Sequence, residues 1–214
     1  MTDKELFDLR REYTLKGLDR DDLLADPISQ FRVWFEQAQA AKLLEPNAMT
    51  LSTASGTGKV SARTVLLKAY DSEGFVFFTN YGSRKAREIA ENSYVALHFL
   101  WLPLERQILI AGKAEKISLH ESLAYFMSRP TKSKIGAWVS EQSRTISSRR
   151  LLEAKFRQMM EKFRDGEVPL PDKWGGYRVT PEEMEFWQGG ESRLHDRFQY
   201  LRQGDSWVIE RLQP

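Results

Sequence analysis

The sequence contains no cysteine among its 214 residues, which excludes disulfides, thiolate nucleophiles and cysteine-held metals. Any redox chemistry must therefore come from a bound cofactor. Histidine is scarce as well: His98, His120 and His195 lie far apart and form no HExxH pattern, so no protein-held metal is expected. No apolar run approaches the roughly 20 residues of a membrane span. The first eleven residues are charged rather than built around a signal-peptide core, so a cytoplasmic protein is the expectation. An excess of one charge is also missing. With 32 basic and 30 acidic residues the net charge is +2, too nearly balanced for a nucleic-acid coat, and basic residues carry meaning only where they cluster. Repeats and low-complexity tracts are absent.

What remains is an ordinary folding composition, 41% hydrophobic and 29% charged. The length suits one domain, which we place at residues 26–214 behind a polar arm at 1–25. Asp26-Pro27 supplies a helix cap and a proline at the first helical position, and the spacing of Ile28, Phe31, Trp34, Phe35 and Ala38 predicts a helix to about Leu44. From Ala48 the period shortens. Stretches at 48–54, 60–70, 75–79, 94–101 and 106–116 are rich in β-branched and aromatic residues and are separated by turn signals. Helices are expected at 83–92, 119–128 and 147–163, and strands again at 177–180, 184–188, 197–201 and 207–212. So many short strands with few helices between them predict a mainly β, antiparallel fold, closed or partly closed as a barrel, with peripheral helices.

Cations cluster at four places. In an extended strand Arg193, His195 and Arg197 share one face, which suits an anion or an electron-rich ring; a solvated edge strand is the plainer alternative. Ser83-Arg84-Lys85 sits at a helix start, where cations oppose the positive dipole end unless an anion binds there. Arg63 and Lys68 lie in an apolar strand at an odd separation, so regular alternation sends them to opposite faces to serve two anions, or a bulge redirects one of them. Each needs an anionic ligand or an internal carboxylate such as Glu73 or Glu105. Tyr125, Arg129 and Ser133 are spaced by four, which stacks them along one helix face as a phosphate clamp, although Pro130 interrupts the helix. Gln107, Gln142 and Ser143 offer neutral partners for the edge of a heterocycle.

Several of these stretches occur together and in order: Arg63-Thr64-Val65-Leu66-Leu67-Lys68, Gly82-Ser83-Arg84-Lys85, Ile135-Gly136-Ala137-Trp138-Val139-Ser140, Gln142-Ser143, Val168-Pro169-Leu170-Pro171, Glu185-Phe186-Trp187-Gln188-Gly189-Gly190 and Arg193-Leu194-His195-Asp196-Arg197-Phe198. In this the chain resembles the pyridoxine 5'-phosphate oxidase family nearly end to end. The resemblance implies an FMN-binding split β-barrel and a homodimer with its flavins at the subunit interface. Matched motif by motif, FMN falls to Arg63, Thr64, Val65, Leu66, Leu67, Lys68, Phe78, Thr79, Arg84, Lys85, Gln107, Gln142, Ser143, Trp187 and Arg197. The substrate phosphate falls to Lys68, Tyr125, Arg129 and Ser133, and the pyridine ring to Arg193 and His195, which are also the catalytic candidates. Arg10 and Tyr13 resemble substrate-binding lid residues. The implied reaction takes a hydride from a phosphorylated B6 vitamer to flavin, with dioxygen as the final acceptor. Two rivals remain at this point: a related flavin oxidase of phenazine assembly, against which the phosphate clamp argues, and a non-catalytic flavin or pyridoxal-phosphate carrier, against which Arg193 and His195 argue.

Overall fold

A computed structural model describes residues 12–15 and 17–214; Arg10 lies outside the described residues. Among the described residues five α-helices follow in chain order: α1 (Pro27–Ala40), α2 (Arg84–Glu91), α3 (Leu119–Ser128), α4 (Thr131–Val139) and α5 (Arg149–Lys162). Nine strands alternate with them: β1 (Ala48–Ala54), β2 (Val60–Leu66), β3 (Ala69–Asp71), β4 (Gly74–Asn80), β5 (Tyr94–Trp101), β6 (Arg106–Lys116), β7 (Trp174–Gln188), β8 (Asp196–Gln203) and β9 (Ser206–Leu212). They form a sheet in the order β2-β1-β5-β6-β7-β4-β3, with β8 on β7 and β9 on β8. The mainly β expectation with peripheral helices holds.

The caps explain the helix starts. The Asp26 carboxylate accepts the backbone N–H groups of Ile28 and Ser29, and Ser83 accepts that of Ala86. Helix α1 stops at Ala40, four residues short of the expected Leu44. Lys42 and Glu45 adopt left-handed backbone angles and Leu44 is 94% exposed, so nothing apolar holds a further turn. The segment at 60–70 is two strands rather than one. Leu67 and Lys68 form the break between β2 and β3, with Lys68 N–H bonded to the Val76 carbonyl; regular alternation therefore does not run from Arg63 to Lys68, and a strand break rather than a bulge redirects Lys68. Conversely, the two strands expected at 177–180 and 184–188 are one. β7 pairs with β4 through Val179 and with β8 from Glu183, and Pro181 falls between these two registers.

The described residues resolve into two compact units, those up to 50 with 97–111 and 181–214 in the first and 51–96 and 112–180 in the second. In the first, Phe31, Trp34, Phe99, Phe186, Phe198 and Tyr200 form an aromatic core, with Trp34 edge-on to Phe186 at 5.2 Å. In the second, Phe75, Phe77, Tyr177 and Val179 are buried on the β4–β7 ladder. A further cluster of Phe126, Ile135, Val168 and Trp174 collects Phe78 and Tyr125 at its margin. That margin becomes a wall of the cavity described next.

Candidate active site

The second unit contains a cavity of about 480 Å³ lined by polar and aromatic side chains from strands and helices far apart in sequence. Thr64, Val65 and Leu66 reach it from the end of β2, and Lys68 from the break that follows. Phe78 and Thr79 come from β4, Lys85 from the first turn of α2, and Gln142 from the loop after α4. Phe78 stacks on Tyr125 at 4.0 Å and on Trp174 at 5.2 Å, which makes one wall a flat aromatic surface.

Tyr125, Arg129 and Ser133 all line this cavity, but not as one helix face. Helix α3 ends at Ser128, Arg129 takes an extended conformation, and Pro130 precedes the first turn of α4, which carries Ser133. The sequence reading recognised Pro130 as a breaker and missed α4. The clamp therefore converges across a hinge between two helices. Arg129 lies over the Trp174 ring at 4.7 Å, and burial lowers its pKa. Its Nη1 is buried with no hydrogen-bond partner in the described structure. A buried guanidinium N–H without an acceptor is costly, and an anion at this spot would satisfy it.

Lys85 tells the same story from the other side. It is 8% exposed, and its ammonium donates to Thr79 Oγ1 at 3.2 Å and to Gln142 Oε1 at 3.0 Å, both neutral. Burial, and secondarily the charge of Arg63, lowers its pKa from 10.5 to about 8. Two partly desolvated cations thus line one aromatic-walled cavity. A phosphate monoester attached to a planar heterocycle fits both the charge and the wall.

Arg63 and Arg84 stand beside this cavity rather than among its lining residues. Both converge on Glu88, a buried carboxylate one turn into α2: Arg84 Nε lies 2.7 Å from Oε1 and Arg63 Nη2 lies 3.3 Å from Oε2. The hydroxyls of Thr53 and Ser61 also donate to Oε2. Burial alone would raise the Glu88 pKa, but the bonds from Ser61, Thr53 and Arg84 outweigh it and bring the pKa down to about 2. The carboxylate partner sought for Arg63 is thus Glu88. Glu73 instead lies 3.7 Å from Arg178, and Glu105 faces residues 14 and 15. Ser143, at a left-handed φ of 69°, accepts the Arg84 backbone N–H at 3.2 Å, and Leu67 is buried.

The first unit carries the other constellation. Glu191–Arg193 forms a 3-10 turn, Ser192 and Arg193 have positive φ, and β8 begins only at Asp196. The prediction that Arg193, His195 and Arg197 share a strand face is therefore wrong. Turn closure overrides the period-two pattern: Leu194 N–H bonds the Glu191 carbonyl, and Gly190 N–H donates to His195 Nδ1 at 3.2 Å. That bond places the proton of the neutral imidazole on Nε2. Gly190 is required here because a β-carbon would fall 2.2 Å from the Leu194 carbonyl oxygen. His195 rests against Trp187 at 4.6 Å and meets the Tyr13 ring edge-on at 5.5 Å, while Arg193 is exposed. Arg197 is held in a two-point pair by Glu185 at 2.7 and 3.0 Å, which raises its pKa. Gln107 accepts from His98 Nε2 at 3.0 Å.

Sequence reasoning missed Glu88, Trp174 and Glu185. The four-residue step from Arg84 to Glu88 is a helical ion-pair spacing and could have been found. Nothing in the sequence marks Trp174 as a cavity wall.

An antiparallel, mainly β chain with a cation-lined and aromatic-walled cavity defines a class, the proteins that seat phosphorylated heterocycles. Comparison narrows the class. The family model described as pyridoxamine 5'-phosphate oxidase matches residues 35–163, and that of the pyridoxine 5'-phosphate oxidase C-terminal dimerisation region matches residues 174–214. A protein of Rippkaea orientalis named pyridoxine/pyridoxamine 5'-phosphate oxidase is 61% identical over 96% of this chain and 98% of its own length. One of the same name from Crocosphaera subtropica is 60% identical over 98% and 100%. Among solved structures, PhzG from Burkholderia lata, crystallised with tetrahydrophenazine-1-carboxylic acid, is 30% identical with a TM-score of 0.89, over 95% of this chain and 100% of its own. A pyridoxamine 5'-phosphate oxidase-related, FMN-binding protein from Nostoc punctiforme shares the fold at a TM-score of 0.73 and 14% identity, over 89% and 98%. The chain belongs to the pyridoxamine 5'-phosphate oxidase family.

Proposed function

We infer that this chain is an FMN-dependent oxidase that converts pyridoxine 5'-phosphate or pyridoxamine 5'-phosphate to pyridoxal 5'-phosphate. The observation that carries the reading is the unpartnered Nη1 of Arg129 in the same cavity as the charge-isolated ammonium of Lys85. Both groups want a phosphate, and the reaction offers two, one on the cofactor and one on the substrate.

In this reading Lys85, Thr79, Gln142 and the residues 63–68 bind FMN, with Arg84 and Ser143 fixing the start of α2 and Phe78, Gln107, Trp187 and Arg197 completing its surroundings. Lys68, Tyr125, Arg129 and Ser133 grip the substrate phosphate. Arg193 and His195 hold the pyridine ring, with Tyr13, and Arg10 beyond the described residues, as lid groups. Held by these residues, FMN would supply a two-electron acceptor for the hydride of the substrate's C4' carbon, with dioxygen as the final oxidant and hydrogen peroxide as its product. The alcohol loses hydride and proton to become the aldehyde; the amine loses the same pair, and water then releases ammonia. The chain itself orients and excludes water. Arg193 brings a permanent positive charge to the ring, and His195 offers Nε2–H as a donor because its Nδ1 is already occupied by Gly190. The working assembly is a homodimer, in keeping with the dimerisation region matched at 174–214, so the two sets of residues need not come from the same copy. Tyr125, Arg129 and Ser133, all lining the cavity, offer a guanidinium and two hydroxyls to a phosphate, which favours the vitamer over the phenazine reading.

The test is oxygen uptake by the purified yellow protein. Pyridoxine 5'-phosphate supports uptake with matching hydrogen peroxide, and unphosphorylated pyridoxine does not. Equal rates with both would sink the phosphate-grip assignment.

A further inference from the structure

Glu105 follows the 3-10 turn Leu102–Leu104 and adopts φ of 53°, a left-handed conformation that L side chains enter at a steric cost. It is only 1% exposed, an unusual place for a carboxylate. Two sets of contacts account for it. Its carbonyl accepts the Gly189 N–H at 2.7 Å and the Gln188 side-chain amide at 3.3 Å. Its carboxylate Oε2 accepts the backbone N–H groups of Thr14 at 3.0 Å and Leu15 at 3.1 Å. One residue therefore ties the segment at 12–15 to the turn that carries Gly189, Gly190 and His195.

The segment is fitted to that turn as well as tied to it. The Tyr13 ring stands edge-on to Trp187 at 5.6 Å and to His195 at 5.5 Å. A β-carbon on Gly189 would fall 2.6 Å from Tyr13 Cδ1, so only glycine admits the ring at this spot. The His195 imidazole is thus bounded by Trp187, by the Gly190 amide and by Tyr13. The Tyr13 boundary depends on a segment that the two bonds to Glu105 anchor.

We propose that Glu105 is a positioning residue for substrate binding: its carboxylate pins the Thr14–Leu15 backbone so that Tyr13 holds the His195 ring in place for the pyridine. The inference rests on the assignment of His195 to the substrate ring. Glu105 touches no substrate. It acts on how tightly the vitamer is held, not on the hydride step and not on FMN.

The experiment uses FMN-replete full-length enzyme and pyridoxine 5'-phosphate. Glu105→Met keeps the side-chain volume and removes the acceptor; Glu105→Gln restores an acceptor oxygen. Leu15→Pro deletes one of the two donors without touching the buried position. Glu105→Met should raise KM about tenfold and Leu15→Pro about threefold, only part of the worth of the bonds removed because they reach the vitamer through Tyr13 and His195, with kcat and the FMN dissociation constant held within about twofold. Glu105→Gln should return KM to near the wild-type value. Glu105→Met combined with Tyr13→Ala should cost no more than the larger single change. Unmoved KM in Leu15→Pro, effects of Glu105→Met and Tyr13→Ala that multiply, or loss of FMN in step with KM would each overturn the proposal; Leu15→Pro decides it even if Glu105→Met fails to fold. A wild-type enzyme inactive on the phosphorylated vitamer would instead overturn the functional assignment, and this inference with it.

Discussion

Replacing Glu88 by glutamine removes a buried carboxylate that Arg63 and Arg84 share. The carboxyl falls from an ordinary pKa of 4.5 to about 2 in the folded chain. By proton linkage that difference is worth at most about 3.5 kcal/mol of stability at neutral pH. Glutamine keeps the shape and one acceptor oxygen but leaves Arg63 and Arg84 without their carboxylate. Arg63 retains the Leu51 carbonyl and the Thr53 and Ser61 hydroxyls, which softens the loss, so a destabilisation of about 2 kcal/mol is expected rather than the 3–5 kcal/mol of an abandoned buried charge. The assay is urea unfolding of FMN-saturated protein at one fixed protein concentration, from pH 7 down to about pH 3. A carboxyl with a depressed folded pKa contributes fully above its unfolded value and loses that contribution as pH falls toward the folded value. The gap between wild type and Glu88→Gln should therefore be widest at pH 7 and narrow below about pH 4.5. A gap under about 0.5 kcal/mol at pH 7, or one that stays constant down to pH 3, would refute the reasoning.

Three further outcomes follow from the same geometry. Because burial brings the Lys85 pKa down to about 8, FMN affinity of the free protein should fall as pH rises through that value, and Lys85→Arg should flatten the dependence in a fluorescence titration. Arg129→Ala should raise KM for pyridoxine 5'-phosphate by the equivalent of about 1.5–3 kcal/mol, the worth of a charge-assisted contact, with the FMN dissociation constant unchanged; equal binding by wild type and variant in steady-state kinetics would remove Arg129 from the grip. Arg193→Ala should retain bound flavin by absorbance while turnover drops at least about tenfold, and full activity would exclude it from the ring site.

The elements most legible in the sequence were those fixed by local chemistry. Asp26-Pro27 and Ser83 cap the helices they were expected to cap, and β1, β5 and β6 match the β-branched and aromatic stretches that predicted them. The errors arose where turn closure, a helix break or a long-range contact, rather than side-chain periodicity, decides the arrangement. Arg193, His195 and Arg197 alternate like strand residues, yet the Gly190 bond to His195 and the closure of Leu194 on Glu191 wind the segment into a turn. Tyr125, Arg129 and Ser133 carry helical spacing, yet they reach a common cavity across the Pro130 hinge. The spacing argument was wrong and the convergence real. The pairing of Arg84 with Glu88 was readable from its helical spacing, but the hub was not, because only the folded chain brings Thr53, Ser61 and Arg63 to the same carboxylate.

The most direct measurement is an anaerobic titration of the yellow protein with pyridoxine 5'-phosphate, followed in the visible flavin band. The account predicts that the band bleaches as one equivalent of pyridoxal 5'-phosphate forms per flavin, and returns when air is admitted. A band that keeps its full intensity with both the alcohol and the amine vitamer would contradict it.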